Sequence, residues 1–140
     1  MASQLLGAWR YVRRPTVRGV RCVLARDDEV LLVRHTYGDR RWSLPGGLMR
    51  RGEDPGATAQ REMREELALE DVEWRTLGVI EFLGADRARH VVTCFLTEVD
   101  DEVLSANPVE IAETRWFPQR RLPEDRLDGT GAIVAMARRA

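Results

Sequence analysis

Three glutamates lie close together in the middle of the sequence, at positions Glu62, Glu65 and Glu66. Spacings of three and four residues bring side chains to one face of an α-helix, where each like-charged pair costs roughly 0.2–0.5 kcal/mol. Arg61 would offset part of that repulsion. A Mg²⁺ ion would offset more, because it takes oxygen ligands and binds through a few carboxylates together with substrate phosphates. The spacing therefore predicts a metal site, with a solvated acidic helix face as the alternative.

The helix that must position these carboxylates has a well-marked start. Asp54 followed by Pro55 is typical of an N-cap and a first helical residue. Helical periodicity then places Ala59, Met63 and Leu67 on one apolar stripe, which we expect to face the core. The carboxylates flank this stripe instead of lying opposite it. We therefore predict a helix that ends at about Leu67 and carries its acidic face at the border of a cleft.

A longer pattern surrounds the three glutamates and includes a glycine, an arginine and a fourth glutamate. Its matched positions are Gly47, Glu53, Arg61, Glu62, Met63, Glu65, Glu66 and Leu69. From the composition of the chain, its six invariant letters would occur by chance with a probability on the order of one in ten thousand. This segment resembles the signature of the Nudix hydrolase family, and the segments WSLPGG and ETRWFPQRRLP agree with it. The resemblance covers about residues 16–139.

The sequence departs from the family signature at one position, where Ala68 stands in place of glycine. A residue that ends a helix often adopts the left-handed conformation, which suits glycine. Alanine in that conformation costs about 1 kcal/mol or more. Because the carboxylates precede this position, we expect a cost in stability and not in chemistry.

The resemblance implies an α/β/α sandwich with a mixed β-sheet and a loop–helix–loop catalytic motif. We expect a domain over residues 16–140, preceded by an N-terminal arm over residues 1–15. Runs rich in β-branched and apolar residues predict the strands. The predicted strands are Thr16–Ala25 and Glu29–Arg34 as a hairpin, a short extended piece at Trp42–Leu44, then Val72–Leu83, Arg89–Val99 and Val109–Phe117. A last helix should follow, capped by Asp128 or Thr130.

By the same resemblance, the chemistry is the attack of water on a phosphorus atom of a diphosphate linked to another group, with Mg²⁺ or Mn²⁺ as cofactor. The implied metal ligands are oxygen donors, including a backbone carbonyl of one of two glycines. They are Gly46, Gly47, Glu62, Glu65, Glu66 and Glu110. Arg61 would hold Glu65 in position, and Glu53 would orient Glu62 through a hydrogen bond or a water molecule.

The general base has more than one candidate. The resemblance implies either Glu62 or a glutamate outside the motif, for which Glu110 is the first candidate and Glu113 the second. The alternative for both is an exposed loop charge. His35 is expected to be a polar loop residue, the alternative being a place at the site.

All 22 basic residues are arginines, against 23 acidic residues, and the formal net charge is −1. The absence of lysine, which codon bias explains, excludes a lysine Schiff base and a P-loop lysine. The near-neutral balance argues against stable nucleic-acid binding. Phosphate contacts by a permanently charged side chain must come from arginine, with Arg34 the first candidate and Arg40 and Arg41 the next.

Cys22 and Cys94 each lie in an apolar run, which favours buried free thiols in a reducing compartment and leaves a disulfide as the alternative. No secretory signal and no apolar run long enough to span a membrane are present, so we expect a soluble cytoplasmic protein without a membrane partner.

The expected substrate is a small nucleotide or nucleotide derivative. Family subgroups carry a proline or tyrosine downstream of the motif, and neither occurs between Leu69 and Pro108. A nucleoside triphosphate, a nucleotide sugar and a dinucleotide therefore stay open. Two other interpretations are a non-catalytic nucleotide-binding or regulatory module and an isomerase of the isopentenyl-diphosphate type. The resemblance also allows a homodimer, since dimerisation is common in the family.

Overall fold

The computed structural model of the 140-residue chain describes residues 15–100 and 104–140. The predicted N-terminal arm lies outside the described residues except for Pro15. The elements in chain order are β1 (Thr16–Arg26), β2 (Glu29–His35), β3 (Gly46–Leu48), α1 (Pro55–Leu67), β4 (Arg75–Leu83), β5 (Arg89–Glu98), β6 (Ile111–Pro118) and α2 (Thr130–Arg139).

The strands form one six-stranded sheet in the order β4-β5-β1-β2-β6, with β3 beside β1. Strands β1 and β5 run parallel, and the other pairs are antiparallel. The predicted mixed sheet is therefore confirmed. The predicted hairpin is confirmed as well, because Arg26 at the end of β1 pairs with Glu29 at the start of β2.

The two helices cover opposite faces of the sheet, which confirms the predicted sandwich. Helix α1 buries its apolar stripe, Ala59, Met63 and Leu67, in one core cluster. Helix α2 contributes residues of the other cluster, among them Val134. Strand β1 is apolar on both faces because both are covered, as is usual for a central strand. The end of β2 and strand β3 thereby lie beside the glutamates of α1, with His35 near Glu66 and Gly47 against Glu62.

Helix α1 begins and ends where the sequence predicts. The Asp54 carboxylate caps it by accepting a hydrogen bond from the Ala57 N–H at 2.8 Å. At its other end Ala68 is left-handed, with φ 54° and ψ 29°. The Leu69 N–H donates to the Met63 carbonyl at 3.1 Å, which satisfies a carbonyl of the last turn. The helix therefore ends in the left-handed conformation although the residue there is not glycine, and Ala68 is strained as a result.

Several predicted boundaries are wrong. The extended piece at Trp42–Leu44 forms only isolated bridges, at Trp42 and Ser43, and the strand that pairs with β1 is Gly46–Leu48. Strand β6 begins at Ile111 and not at Val109. Strand β4 begins at Arg75 and not at Val72. Helix α2 has neither predicted cap: the N-cap is Gly129 in a left-handed conformation, with no side-chain hydrogen bond.

The two cysteines are free and buried. Cys22 belongs to the core cluster under α1 and Cys94 to the cluster under α2, so the sheet separates them and a disulfide between them is excluded. Burial raises the pKa of both thiols, that of Cys94 to about 11, which keeps them protonated at neutral pH. Within the described ranges, no helix is long and apolar enough to cross a membrane.

Candidate active site

An open cleft of about 870 Å³ runs from the acidic face of α1 across the end of the sheet to the foot of α2. Strand β1 and the glycines of β3 form its floor, and the loop after β2 forms one wall. The cleft brings together most of the residues that the sequence singles out. Among these are Arg41, Gly46, Gly47, Arg61, Glu62, Glu65, Glu66 and Glu110.

Arg61 is the centre of a charged network on α1. It donates two hydrogen bonds to Glu53, from Nε at 2.7 Å and from Nη2 at 2.9 Å. Its Nη1 donates to Glu62 at 2.9 Å and, less closely, to Glu65 at 3.4 Å. Glu53 makes no direct hydrogen bond to Glu62 in the described part of the chain. Glu53 is therefore linked to Glu62 indirectly, through the Arg61 guanidinium that both carboxylates contact.

These contacts hold Glu53 and Arg61 in their charged forms. Hydrogen bonds, first from Arg61 and then from the Arg50 N–H, lower the pKa of Glu53 to about 2. The hydrogen bond to Glu53 raises the pKa of Arg61. The pair is therefore a permanent structural brace beside the cleft.

Glu62 packs directly against Gly47 of β3. A Cβ atom added at Gly47 would overlap the Glu62 carboxylate, and one added at Gly46 would overlap the carbonyl of Val20. Burial raises the pKa of Glu62, and the neighbouring charge of Glu66 adds to the rise, whereas Arg61 opposes it. Glycine at position 47 is thus what lets a carboxylate come so close to the backbone of β3, and glycine at position 46 lets β3 approach β1.

Glu66 is the most deeply buried carboxylate of the cleft, with 4% of its surface exposed. Its Oε1 atom lies 3.7 Å from Nε2 of His35. Its Oε2 atom is buried and has no hydrogen-bond partner. A buried oxygen of this kind is costly unless something else binds it. His35 thus lies at the site, against the expectation of a polar loop residue, because β2 extends one residue further than predicted.

The donor set fits a hard divalent cation, although no complete cage exists. Among residues 15–100 and 104–140, no group of three acidic, histidine or cysteine side chains is arranged to hold a metal by itself. Mg²⁺ does not require one, because it keeps several waters and binds through one or two carboxylates plus substrate phosphates. The unpartnered oxygen of Glu66 and the half-buried carboxylate of Glu62 are donors of that type.

Of the two glutamates outside the motif, the structure places only Glu110 in the cleft. Its backbone carbonyl accepts a hydrogen bond from the Thr36 N–H at 3.0 Å, which ties the loop before β6 to the loop after β2. Glu113 points elsewhere: it accepts a hydrogen bond from Arg115 at 3.0 Å and lies 4.0 Å from Arg34.

The arginines expected to bind phosphate are placed differently from the prediction. Arg34 does not line the cleft. Its guanidinium pairs with Asp125 at 3.2 Å and lies over the ring of Trp42. Asp125, a residue distant in sequence, therefore holds the Arg34 side chain outside the cleft. Arg40 is exposed and also outside the cleft. Arg41 does line the cleft, but Asp39 binds it at 2.8 Å.

Sequence reasoning missed Arg21, which lies in β1 opposite Gly46 on the floor of the cleft. Its Nη1 donates to the Leu44 carbonyl at 3.0 Å. The signal that could have found it is a charged residue in the middle of a strand whose neighbours, Cys22 and Val23, are wholly buried. Such a residue is rare unless the charge has a partner or a role.

The comparison with family models decides the identity of the domain. Residues 15–135 match the model described as the NUDIX domain. The chain belongs to the Nudix family. The Nudix resemblance of residues 16–139 is thus confirmed, and the helix α1 is the helix of its signature.

Curated relatives in other organisms agree. An ADP-ribose pyrophosphatase of Mycobacterium tuberculosis is 45% identical over 65 residues, which are 42% of this chain and 31% of that protein. A human diphosphoinositol polyphosphate phosphohydrolase, 3-beta, is 46% identical over 93 residues, 66% of this chain and 56% of that one. The chain therefore spans from about a third to a little over half of the length of these Nudix relatives.

Solved structures share the Nudix fold. A MutT NUDIX hydrolase from Burkholderia pseudomallei superposes with a TM-score of 0.78 at 22% identity, covering 86% of this chain and 97% of that one. The NUDIX domain of Shewanella oneidensis NrtR, solved in complex with ADP ribose, gives 0.75 at 19% identity and covers 99% and 97%. At these identities the likeness shows the fold alone.

The far end of the Nudix cleft, below α2, is apolar. Ile80 of β4 is paired with Val92 of β5, and both line this end of the cleft together with Phe82 and Ile133. The ring of Phe82 stacks on that of His90, with centroids 5.0 Å apart and planes 4° from parallel. The cleft thus has an acidic end at α1 and an aromatic end at the edge of the sheet.

Proposed function

We propose that this chain hydrolyses the diphosphate linkage of a small nucleotide derivative, with Mg²⁺, or Mn²⁺ in its place, held by Glu62, Glu65 and Glu66. The observation that carries the proposal is the buried Oε2 atom of Glu66, which has no hydrogen-bond partner among the described residues and lies in a cleft that Glu62, a half-buried carboxylate, also lines. An acidic pair of this kind is stabilised by a divalent cation. Membership of the Nudix family supports the same chemistry.

A divalent ion bound there would neutralise phosphoryl oxygens and lower the pKa of an attacking water. The chain's own residues would prepare the rest of the site. Arg61, braced by Glu53, holds Glu62 in one orientation. Gly47 lies beside that carboxylate, and the backbone carbonyl of Gly46 or Gly47 would be a further ligand.

We assign the general base to Glu110, with Glu62 as the alternative. Glu110 lines the cleft opposite α1, and the hydrogen bonds of its carbonyl to Thr36 anchor its backbone. A base must lie within hydrogen-bond reach of the attacking water, directly or through a second water. Glu113 does not meet that condition, because it faces Arg34 and Arg115 outside the cleft.

The charge of the cleft favours a nucleotide over a polyphosphorylated inositol. Its described lining includes six carboxylates and four arginines: Asp39, Glu62, Glu65, Glu66, Glu110 and Asp128, with Arg21, Arg41, Arg50 and Arg61. A densely phosphorylated ligand, such as the substrate class named for the human relative, would need an excess of cations. The apolar end at Phe82 instead suits an aromatic base, by stacking. A nucleoside triphosphate, a nucleotide sugar and a dinucleotide all satisfy this description.

The decisive experiment is a screen of these three substrate classes with Mg²⁺ or Mn²⁺ in ¹⁸O-labelled water, with products identified by mass spectrometry. We expect metal-dependent cleavage and one ¹⁸O atom in a phosphate product. Glu62→Gln and Glu66→Gln should each lower turnover by about a hundredfold or more, since each removes a metal ligand. Glu70→Gln, an exposed glutamate just beyond the same helix, is the matched control and should not change turnover.

The alternative function is a non-catalytic nucleotide-binding or regulatory module. It would bind nucleotides in calorimetry yet release no product in the same screen.

An isomerase is less consistent with the structure, because both thiols are buried and protonated. We also propose a cytoplasmic location, supported by the free thiols Cys22 and Cys94, which a reducing compartment keeps unpaired. A homodimer stays a prediction, which light scattering checks.

A further inference from the structure

The cleft contains one arginine that differs from the others in its partners. In the part of the chain that the structure describes, each of the other cleft arginines pairs with a carboxylate: Arg41 with Asp39, Arg50 with Glu65, and Arg61 with Glu53, Glu62 and Glu65. Among the described residues, Arg21 has no carboxylate within 4 Å, and its side chain makes one hydrogen bond, to the Leu44 carbonyl. Most of its hydrogen-bonding capacity is therefore available.

Arg21 lies where that capacity can be used. It lies in the lining of the cleft, opposite Gly46, and is half-buried. Burial lowers its pKa, while the negative charges of Glu66 and, more weakly, Glu62 act in the opposite direction. The guanidinium is therefore a desolvated cation that two carboxylates stabilise from a distance.

We propose that Arg21 is the phosphate-binding side chain of this cleft, gripping two oxygens of the substrate diphosphate next to the cation held by Glu62 and Glu66. The inference rests on the proposed function and deepens it. A guanidinium matches a phosphate in a forked, two-bond geometry. The chain has no lysine, and the other described cleft arginines are already paired with carboxylates. Arg21 therefore supplies the cationic phosphate ligand that the site otherwise lacks.

The charges give this arrangement a thermodynamic consequence. A divalent cation neutralises Glu66 and Glu62, which removes the negative charge that stabilises the Arg21 guanidinium. A phosphate that arrives with the cation restores a negative partner. Metal and phosphate should thus each strengthen the binding of the other, and Arg21 should carry part of this coupling.

The test uses methylenediphosphonate, a diphosphate analogue that cannot be hydrolysed at its P–C–P bridge, titrated calorimetrically as its Mg²⁺ complex into the full chain. Arg21→Met should weaken its binding by about ten- to a hundredfold, the usual range for a hydrogen-bonded charge. The affinity of Arg21→Lys should lie between those of Arg21→Met and the wild type, since lysine keeps the positive charge but cannot make the forked pair of hydrogen bonds. Arg18→Gln, exposed on the same strand and outside the cleft, should bind like the wild type.

A second titration, with Mg²⁺ alone, separates phosphate binding from a structural role. Arg21→Met should bind Mg²⁺ at least as tightly as the wild type, and more tightly at low salt, because a neighbouring cation has been removed. A merely structural residue would weaken both ligands together and lower the melting temperature.

The inference is overturned if Arg21→Met binds the diphosphonate like the wild type, if it loses Mg²⁺ and diphosphonate affinity in parallel, or if the wild type does not bind the diphosphonate. These outcomes differ from failure of the proposed function. If the wild type hydrolyses a substrate and Arg21→Met matches its KM, only the assignment of Arg21 fails. If the wild type hydrolyses nothing in the screen, the proposed function fails, whatever the diphosphonate titration shows.

Discussion

Arg61 binds Glu53 through two parallel hydrogen bonds, of 2.7 and 2.9 Å, and uses its remaining nitrogen to reach Glu62. Only a planar, forked cation can make both contacts at once. We therefore expect Arg61→Lys to lower kcat by at least about tenfold on the best substrate, because one ammonium cannot hold both carboxylates in place. The fold should survive, as judged by the melting temperature.

Arg64→Lys, exposed on the same helix, is the matched control for this substitution. Equal kcat values for the Arg61→Lys, Arg64→Lys and wild-type chains would show that the bridging geometry is not needed.

The same contact predicts a pH dependence of stability. The pKa of Glu53 is lowered from its ordinary value to about 2, so its ionised form is favoured in the folded state. The resulting stabilisation is fully present above an ordinary glutamate pKa, near pH 4.5, and is lost as the pH falls towards 2. Glu53→Gln should therefore be less stable than the wild type at pH 6, with a difference that shrinks between pH 4.5 and 2.

Urea denaturation at half-unit pH steps measures this difference, and Glu70→Gln is the exposed control, expected to show a smaller difference throughout. A gap between wild type and Glu53→Gln that stayed constant down to pH 2 would contradict the assigned shift.

The helix that carries the carboxylates could be predicted residue by residue, because its determinants are local. Asp54 and Pro55 mark its start, and the period of its apolar stripe leads to Leu67. The mixed sheet and the sandwich followed from the family resemblance and the order of the elements. These features depend on short-range patterns, which a single sequence contains in full.

What could not be predicted depends on partners distant in the chain. Arg34 seemed suited to phosphate, yet Asp125, 91 residues away, holds it outside the cleft. Arg21 lies within a largely apolar strand and was therefore not predicted to be a site residue. Its place on the cleft floor depends on the pairing of β1 with the glycines of β3. Gly129 replaced both predicted caps of α2, since turn geometry and not a side-chain acceptor sets that helix start.

The end of α1 offers a test of the departure from the family signature. Ala68 has a φ of 54°, a conformation that glycine adopts without strain. We expect Ala68→Gly to raise the free energy of unfolding by about 0.5–1 kcal/mol and to leave kcat unchanged. Ala57→Gly, in the right-handed part of the same helix, should do the opposite and lose a similar amount. Chemical denaturation of both variants measures these signs, and a destabilised Ala68→Gly would refute the strain.

The two glutamates outside the motif give a matched pair for the general base. Glu110 lines the cleft and Glu113 does not. Glu110→Gln should reduce kcat by about a hundredfold or more, as expected for loss of a positioned base, and should change the acidic limb of the pH–rate profile. Glu113→Gln should stay within about twofold of the wild type. Were both variants fully active, the role of base would pass to Glu62.

The aromatic end of the cleft predicts how the substrate is chosen. Phe82 stacks on His90, whose Nε2 lies 3.0 Å from Asp86, so the ring pair is held in place, and Phe82 is 47% exposed. If a nucleobase stacks there, Phe82→Ala should raise KM for a nucleotide substrate by about tenfold, since base–aromatic stacking is worth roughly 1–3 kcal/mol. Binding of methylenediphosphonate, which has no base, should not change.

Leu83→Ala, the exposed neighbour whose side chain lies outside the cleft, is the control. A KM shift of equal size in both variants, or a parallel loss of diphosphonate binding in Phe82→Ala, would place the base elsewhere.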